Sequence, residues 1–195
     1  MLELLKKRRT QYALGRNVTL AENAIDQLIR DGIRNSPSPF NSQSSRAIIL
    51  FGEESQKFWN LVKDEVRPLV APEMLEGSMT KISSFSAGIG TVLFFEDQQT
   101  VRDLQAEWPI FADQFPDWSE HSGGMAQYVV WTLLANHNIG ASLQHYNPIV
   151  DAKVAAAWDV PSSWRLRAQM PFGSNEQPLP EKTFIPDELR FRTHR

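Results

Sequence analysis

Residues Gly124–Gly140 read GMAQYVVWTLLANHNIG, and what this stretch becomes decides the fold. Its apolar side chains fall almost all round a helical wheel, which predicts a buried central helix with Gly140 as its stop. Such a helix needs apolar partners on several sides, so the neighbouring segments must supply a sheet and more helices. Upstream, TVLFFE (Thr91–Glu96) is a β-branched and aromatic run between Gly90 and the polar EDQQ, and it predicts a buried strand. Downstream, WRLRAQMPFG (Trp164–Gly173) alternates as a strand does. RAIILF (Arg46–Phe51) predicts another strand, and LRFRT (Leu189–Thr193) a tail strand.

The helices complete the pattern. TLAENAIDQLIRDGIRN (Thr19–Asn35) places Glu22 three residues after Thr19, the spacing of a capping box, and sets Ala21, Ile25, Leu28, Ile29 and Ile33 on one face. EESQKFWNLVKDEV (Glu53–Val66) repeats Phe58, Leu61, Val62 and Val66 at helical spacing. TVRDLQAEW (Thr100–Trp108) is a helix broken near Pro109, and DAKVAAAWDV (Asp151–Val160) a short one. SNEQPLPEKTFIP (Ser174–Pro186) is a Pro-rich extended segment. With no repeat or low-complexity linker to divide the chain, this order predicts one α+β domain over residues 1–195, a central mixed or antiparallel sheet with helices against it.

Composition narrows the function. Of the 195 residues 42% are hydrophobic, with six Trp and eleven Phe, enough to fill one sizeable core. A net charge of -3 offers no basic field for nucleic acid. The absence of Cys excludes disulfides, thiolate metal sites and a Cys nucleophile, and fits a reducing cytoplasm. The longest apolar run, YVVWTLLA, is far below the roughly 18 residues of a membrane span, and MLELLKKRRTQY does not read as a secretory signal, so a soluble protein is expected. His121, His137 and His145 lack companion carboxylates at metal-ligand spacing, so no metal is expected.

Three stretches could together bind a planar anion. In KRRT (Lys7–Thr10), Arg8 and Arg9 offer guanidinium forks suited to phosphate oxygens, and Thr10 adds a hydroxyl. In SPSPFNSQSSR (Ser36–Arg46), Pro37 and Pro39 stiffen a loop on which Ser38, Asn41 and Gln43 can donate and accept. In NIGASLQHYNP (Asn138–Pro148), Gly140 permits a sharp turn, after which Ser142 to His145 expose backbone amides. Taken singly, each has an ordinary structural explanation: a basic helix end, a capped turn, a helix stop with a structural histidine. No G-x-S-x-G, P-loop or G-x-G-x-x-G motif occurs.

In this order, RRTQYAL, FNSQSSR, LFGEE, FPDWSE, ASLQHYNP and EKTFIPDELRF resemble the flavin mononucleotide-dependent nitroreductases, specifically the short branch with copper-induced and fatty-acid-responsive members. The resemblance spans nearly the whole chain. It implies FMN as cofactor, with Arg8 and Thr10 on the flavin phosphate, Arg9 alongside, and Lys182 as a C-terminal phosphate lysine. It implies a homodimer in which Ser38, Pro39, Asn41 and Gln43 line the ring and ribityl side from the second subunit. Leu143, Gln144 and His145 fall where a backbone amide meets the flavin N5. Two departures stand out. Tyr12 occupies a position where many members carry Lys or Arg near the flavin N1 and O2 edge, and Phe184 one where many carry a second base, for which Arg190 or Arg192 could substitute. The implied activity is ping-pong oxidation of NAD(P)H with reduction of a nitroaromatic or quinone-type acceptor. The alternative is a flavin-binding regulatory or stress-response protein of low turnover. In either case the chemistry belongs to the cofactor, and the protein holds and orients it.

Overall fold

Strand Thr91–Glu96 lies at the centre of the architecture because both of its faces are covered. The computed structural model describes residues 1–195. In chain order the elements are α1 (Leu2–Lys7), β1 (Leu14–Gly15), α2 (Glu22–Arg34), β2 (Ser45–Phe51), α3 (Gly52–Val66), α4 (Pro72–Ser86), β3 (Gly90–Asp97), α5 (Gln98–Glu107), α6 (Phe115–Asn136), β4 (Ile139–Ala141), α7 (Asp151–Ala157), β5 (Trp164–Asn175) and α8 (Asp187–Arg190). The sheet runs β1-β5-β3-β2, with β4 also on β5, and every ladder is antiparallel.

All eight residues of β3 are buried. Leu93 and Phe95 join Phe58, Trp59 and Val62 of α3 and Ile82 and Phe85 of α4 on one face. Val92 and Phe94 join Ile25 and Ile29 of α2 and Val130 and Leu134 of α6 on the other. Two covered faces explain why TVLFF is continuously apolar, although the sheet is antiparallel and such runs are commoner in parallel ones.

Four sequence expectations are corrected. α6 is longer than the apolar run that announced it, and one side stays open, with Met125 and Tyr128 exposed. Its stop is Asn138, in the left-handed conformation at φ 59°, and Gly140 instead lies in β4. Gly140 is needed for close approach: a Cβ there would meet Asn175 Oδ1 at 2.5 Å and Gln11 Cγ at 2.9 Å. The Thr19–Glu22 capping box does not form, because α2 begins at Glu22 with Ala21 as its N-cap. Leu20 and Ile25 flank that start and share one apolar cluster, the pattern of a hydrophobic staple. The tail strand in LRFRT is replaced by the single turn of α8 and an extended end. α4 was not legible at all. No helix is long and apolar enough to cross a membrane.

Candidate functional site

α1 ends at Lys7, and Arg8 turns the chain into extended geometry (φ -66°, ψ 110°). The next residues lie along β4: Thr10 makes a parallel bridge with Ala141, and the Gln11 amide donates to the Ala141 carbonyl at 2.9 Å. Gln11 is buried and fastens this stretch to the C-terminal segment, its Nε2 donating to the Gln177 carbonyl at 2.7 Å. Arg9 does the same from outside, donating to the Pro180 carbonyl at 2.8 Å. A cleft of about 480 Å³ results, lined by Arg8 to Ala13 and by Gln177 to Pro180 with Lys182. Three cations and no carboxylate line it.

Each cation is held differently. The Arg8 guanidinium lies 4.3 Å from the Trp131 ring centroid and 5.7 Å from that of Tyr128, both on α6. Its Nε is buried without a hydrogen-bond partner, as is Nε1 of Trp131. The Lys182 ammonium rests over Phe184 at 5.1 Å. Phe184, at the position where the resemblance implies a second base, is thus a platform for Lys182. Arg9 is committed to the tail, which makes it a strap for the segment that bears Lys182.

The third stretch adjoins the first. Ser142 and Gln144 donate their amides to the Pro171 and Gln169 carbonyls at 3.3 and 2.8 Å, so the Gln144 amide is occupied. Strand alternation turns the intervening amides of Leu143 and His145 the other way, and neither donates within the chain. The Gln144 side chain is also internal, donating to Ser142 Oγ at 3.0 Å. Beneath them, fully buried Gln169 accepts from the Tyr146 amide at 2.7 Å and donates to Asn147 Oδ1 at 3.1 Å. Burial pushes the Tyr146 phenol above its ordinary range, and nearby Tyr12 adds to the shift. Gln11, Gln169 and Tyr146 escaped the sequence reading, since no local motif marks a residue whose partner lies tens of positions away.

The second stretch is elsewhere. Ser38, Pro39, Asn41 and Gln43 belong to a tight loop in which Phe40, Asn41 and Gln43 have φ of 53°, 52° and 50°. Three non-Gly residues in this region store strain that surrounding contacts must hold. Ser38 Oγ accepts from the Gln43 amide at 2.9 Å, Arg46 donates to the Gln43 carbonyl, and the Phe40 ring packs tilted on Trp108 at 5.1 Å and edge-to-face with Phe115 at 5.6 Å. This loop leads into Ser45, level with Glu96 and through it with Arg165, whereas Thr10 is level with Ala141 and Phe172. Arg165 to Phe172 is seven residues of β5, about 23 Å at roughly 3.3 Å per residue. One chain therefore brings Arg8, Arg9, Thr10, Lys182 and Leu143 to His145 together and leaves Ser38 to Gln43 at the far end of the sheet.

Comparison with known proteins bears on this arrangement. The sequence pattern of the nitroreductase family matches residues 5–174. HBN1 of Saccharomyces cerevisiae is 35% identical over 190 residues, 96% of this chain and 94% of that protein. The S. cerevisiae nitroreductase FRM2 is 32% identical over 186 residues, 94% and 92% of the two chains. The nitroreductase CinD from Lactococcus lactis, solved with chloramphenicol, superposes with a TM-score of 0.91 at 44% identity, covering 100% of this chain and 99% of that one. Its complex with 4-nitrophenol gives 0.88 at the same identity and coverage. A match running from α1 almost to the end of β5, with relatives aligned over more than nine-tenths of both chains, covers the Arg8–Ala13 edge of the cleft and the whole sheet: the chain belongs to the nitroreductase family of oxidoreductases.

Proposed function

We propose that the chain is an FMN-dependent NAD(P)H oxidoreductase that reduces nitroaromatic or quinone-type acceptors as a homodimer. The observation that carries this reading is the cleft in which Arg8, Thr10 and Lys182 converge with no carboxylate among the lining residues. A dianionic phosphate suits that donor set, and the buried, unpartnered Arg8 Nε is a donor without an acceptor until one arrives. The fit is therefore good for a phosphate-bearing cofactor. A ring extending from that phosphate along the Thr10–Tyr12 edge would meet the free amides of Leu143 and His145. When bound, FMN supplies the two-electron chemistry, taking hydride from NAD(P)H and passing it to the acceptor in ping-pong order.

What one chain leaves incomplete supports the dimer. The strained loop at Ser38 to Gln43 leads to the level of Arg165, about 23 Å along the sheet from Thr10 and about 13 Å from the level of Gln144, which supports placing its Asn41 and Gln43 on the flavin of a second copy. The tail beyond Asn175 is exposed throughout and carries Phe184, Ile185, Leu189 and Phe191, with Phe184 71% accessible. A second copy would cover this surface. The acceptor class is supported by CinD, which has been solved with two nitroaromatic compounds.

NADPH and NADH oxidation, followed with 4-nitrophenol or a quinone as acceptor on FMN-loaded protein, tests the activity. Acceptor-dependent oxidation is expected. Tight FMN binding without it would favour the low-turnover regulatory reading.

A further inference from the structure

We propose that Trp131, on α6, is a positioning residue of the cofactor site: its ring fixes the Arg8 guanidinium before any phosphate arrives. The inference rests on the FMN reading above and assigns a residue outside all three stretches of the site.

Arg8 needs such an anchor. It follows α1, a six-residue helix that buries no residue, and its long flexible stem would otherwise lose its freedom only on meeting the phosphate. No carboxylate holds it: none of the chain's ion pairs includes Arg8, and its buried Nε has no acceptor. What holds it is aromatic. The guanidinium lies over the Trp131 ring at 4.3 Å, whereas Tyr128, one turn back on α6, is farther off at 5.7 Å and 43% accessible. Arg9 is the contrast, since its guanidinium is bonded to the Pro180 carbonyl. A contact over a ring face needs no acceptor oxygen, so Arg8 lines the cleft with its donors still available to a phosphate.

Trp131 has the rigidity that Arg8 lacks. It packs against the cluster of Ile25, Ile29, Val130 and Leu134, so the core sets the plane of its ring. Its Nε1 is buried without an acceptor. An indole so placed normally finds a partner, and a Phe side chain would fill much of the same space without an orphaned N–H. Packing alone therefore does not account for Trp here. Its ring face does, being the strongest aromatic partner for a cation.

Because Trp131 acts through Arg8, its effect is confined to ligands that carry a phosphate. Riboflavin, with the same ring and ribityl chain and no phosphate, is the control. In full-length protein, Trp131→Met is expected to weaken FMN binding about tenfold, the scale of a partly desolvated cation–π contact, and to leave riboflavin affinity within twofold. Trp131→Phe should stay within threefold of the parent for both ligands. In an Arg8→Gln background, Trp131→Met should alter FMN affinity less than twofold, since the guanidinium it positions is gone. Unchanged FMN affinity in Trp131→Met, equal losses for FMN and riboflavin, a loss in Trp131→Phe as large as in Trp131→Met, or additivity with Arg8→Gln would each overturn the assignment and leave the FMN reading intact. A parent chain that binds FMN no more tightly than riboflavin overturns both.

Discussion

Lys182 and Asn41 mark the two ends of the proposed site, and they should fail differently when cut back to alanine. Lys182 offers a charge-assisted contact of about 1.5 to 3 kcal/mol to a phosphate, so Lys182→Ala should weaken FMN binding ten- to a hundredfold, with turnover restored by added FMN. Asn41 is exposed on the strained loop and proposed to fix the ring, so Asn41→Ala should bind FMN yet stay slow at saturation. FMN titration against each variant while following NADPH oxidation separates them. Glu96 gives a test independent of cofactor. It is 1% accessible, its Oε1 has no partner, and it lies beside buried Ser44 and near Glu120, Asp97 and Arg46. Burial raises its carboxyl from 4.5 to about 7. The unfolded chain therefore releases this proton first as pH climbs, and folding stability is lost between about 4.5 and 7. With solvent screening allowed for, the loss is about 2 kcal/mol. Glu96→Gln should flatten that slope and exceed the parent in urea midpoint at pH 8. That Arg8, Arg9 and Thr10 cluster was legible because a run of guanidinium and hydroxyl groups is a local signal, whereas Lys182 beside them was implied only by the resemblance. Which of Leu143, Gln144 and His145 keeps a free amide was not legible, since it depends on register with Gln169.

At the scale of elements, the loop from Ser36 to Ser44 was legible as rigid from its prolines, but its left-handed residues were not, because nothing in PFNSQ besides Asn favours positive φ. The conformation is imposed by packing, chiefly by the Phe40 ring against Trp108 and Phe115. Phe40→Ala should cost about 1 to 2 kcal/mol through lost aromatic contact. Phe40→Gly should cost less than Phe40→Ala, the reverse of the usual order, because glycine relieves the strain at φ 53°. Urea unfolding of the two variants checks the order. Of the strands at the centre of the sheet, β3 was legible because burial on both faces writes itself as an unbroken apolar run, and β5 because its residues alternate. α4 buries only Ile82 and Phe85, so its sequence carries too weak a periodicity to announce a helix. The end of α6 was misplaced at Gly140 for a different reason: that glycine answers to Asn175 and Gln11 across the sheet, not to the helix before it.

The whole molecule is expected to work in pairs. The resemblance pointed to a dimer, and the separation of Ser38–Gln43 from the cleft gives the physical reason, one that no reading of periodicity could supply. Light scattering should give about twice the 22.2 kDa chain mass. Removing the residues after Asn175 should yield monomer and abolish FMN binding together, since the tail carries both exposed apolar groups and Lys182. A stable monomer that holds FMN would show the loop serving its own chain. The account as a whole stands on the identity of the group that Arg8, Thr10 and Lys182 hold. Full-length protein incubated with equal FMN and FAD, freed of excess and then denatured, should release FMN at about one per chain by mass spectrometry. Release of FAD, or of no flavin at all, would contradict it.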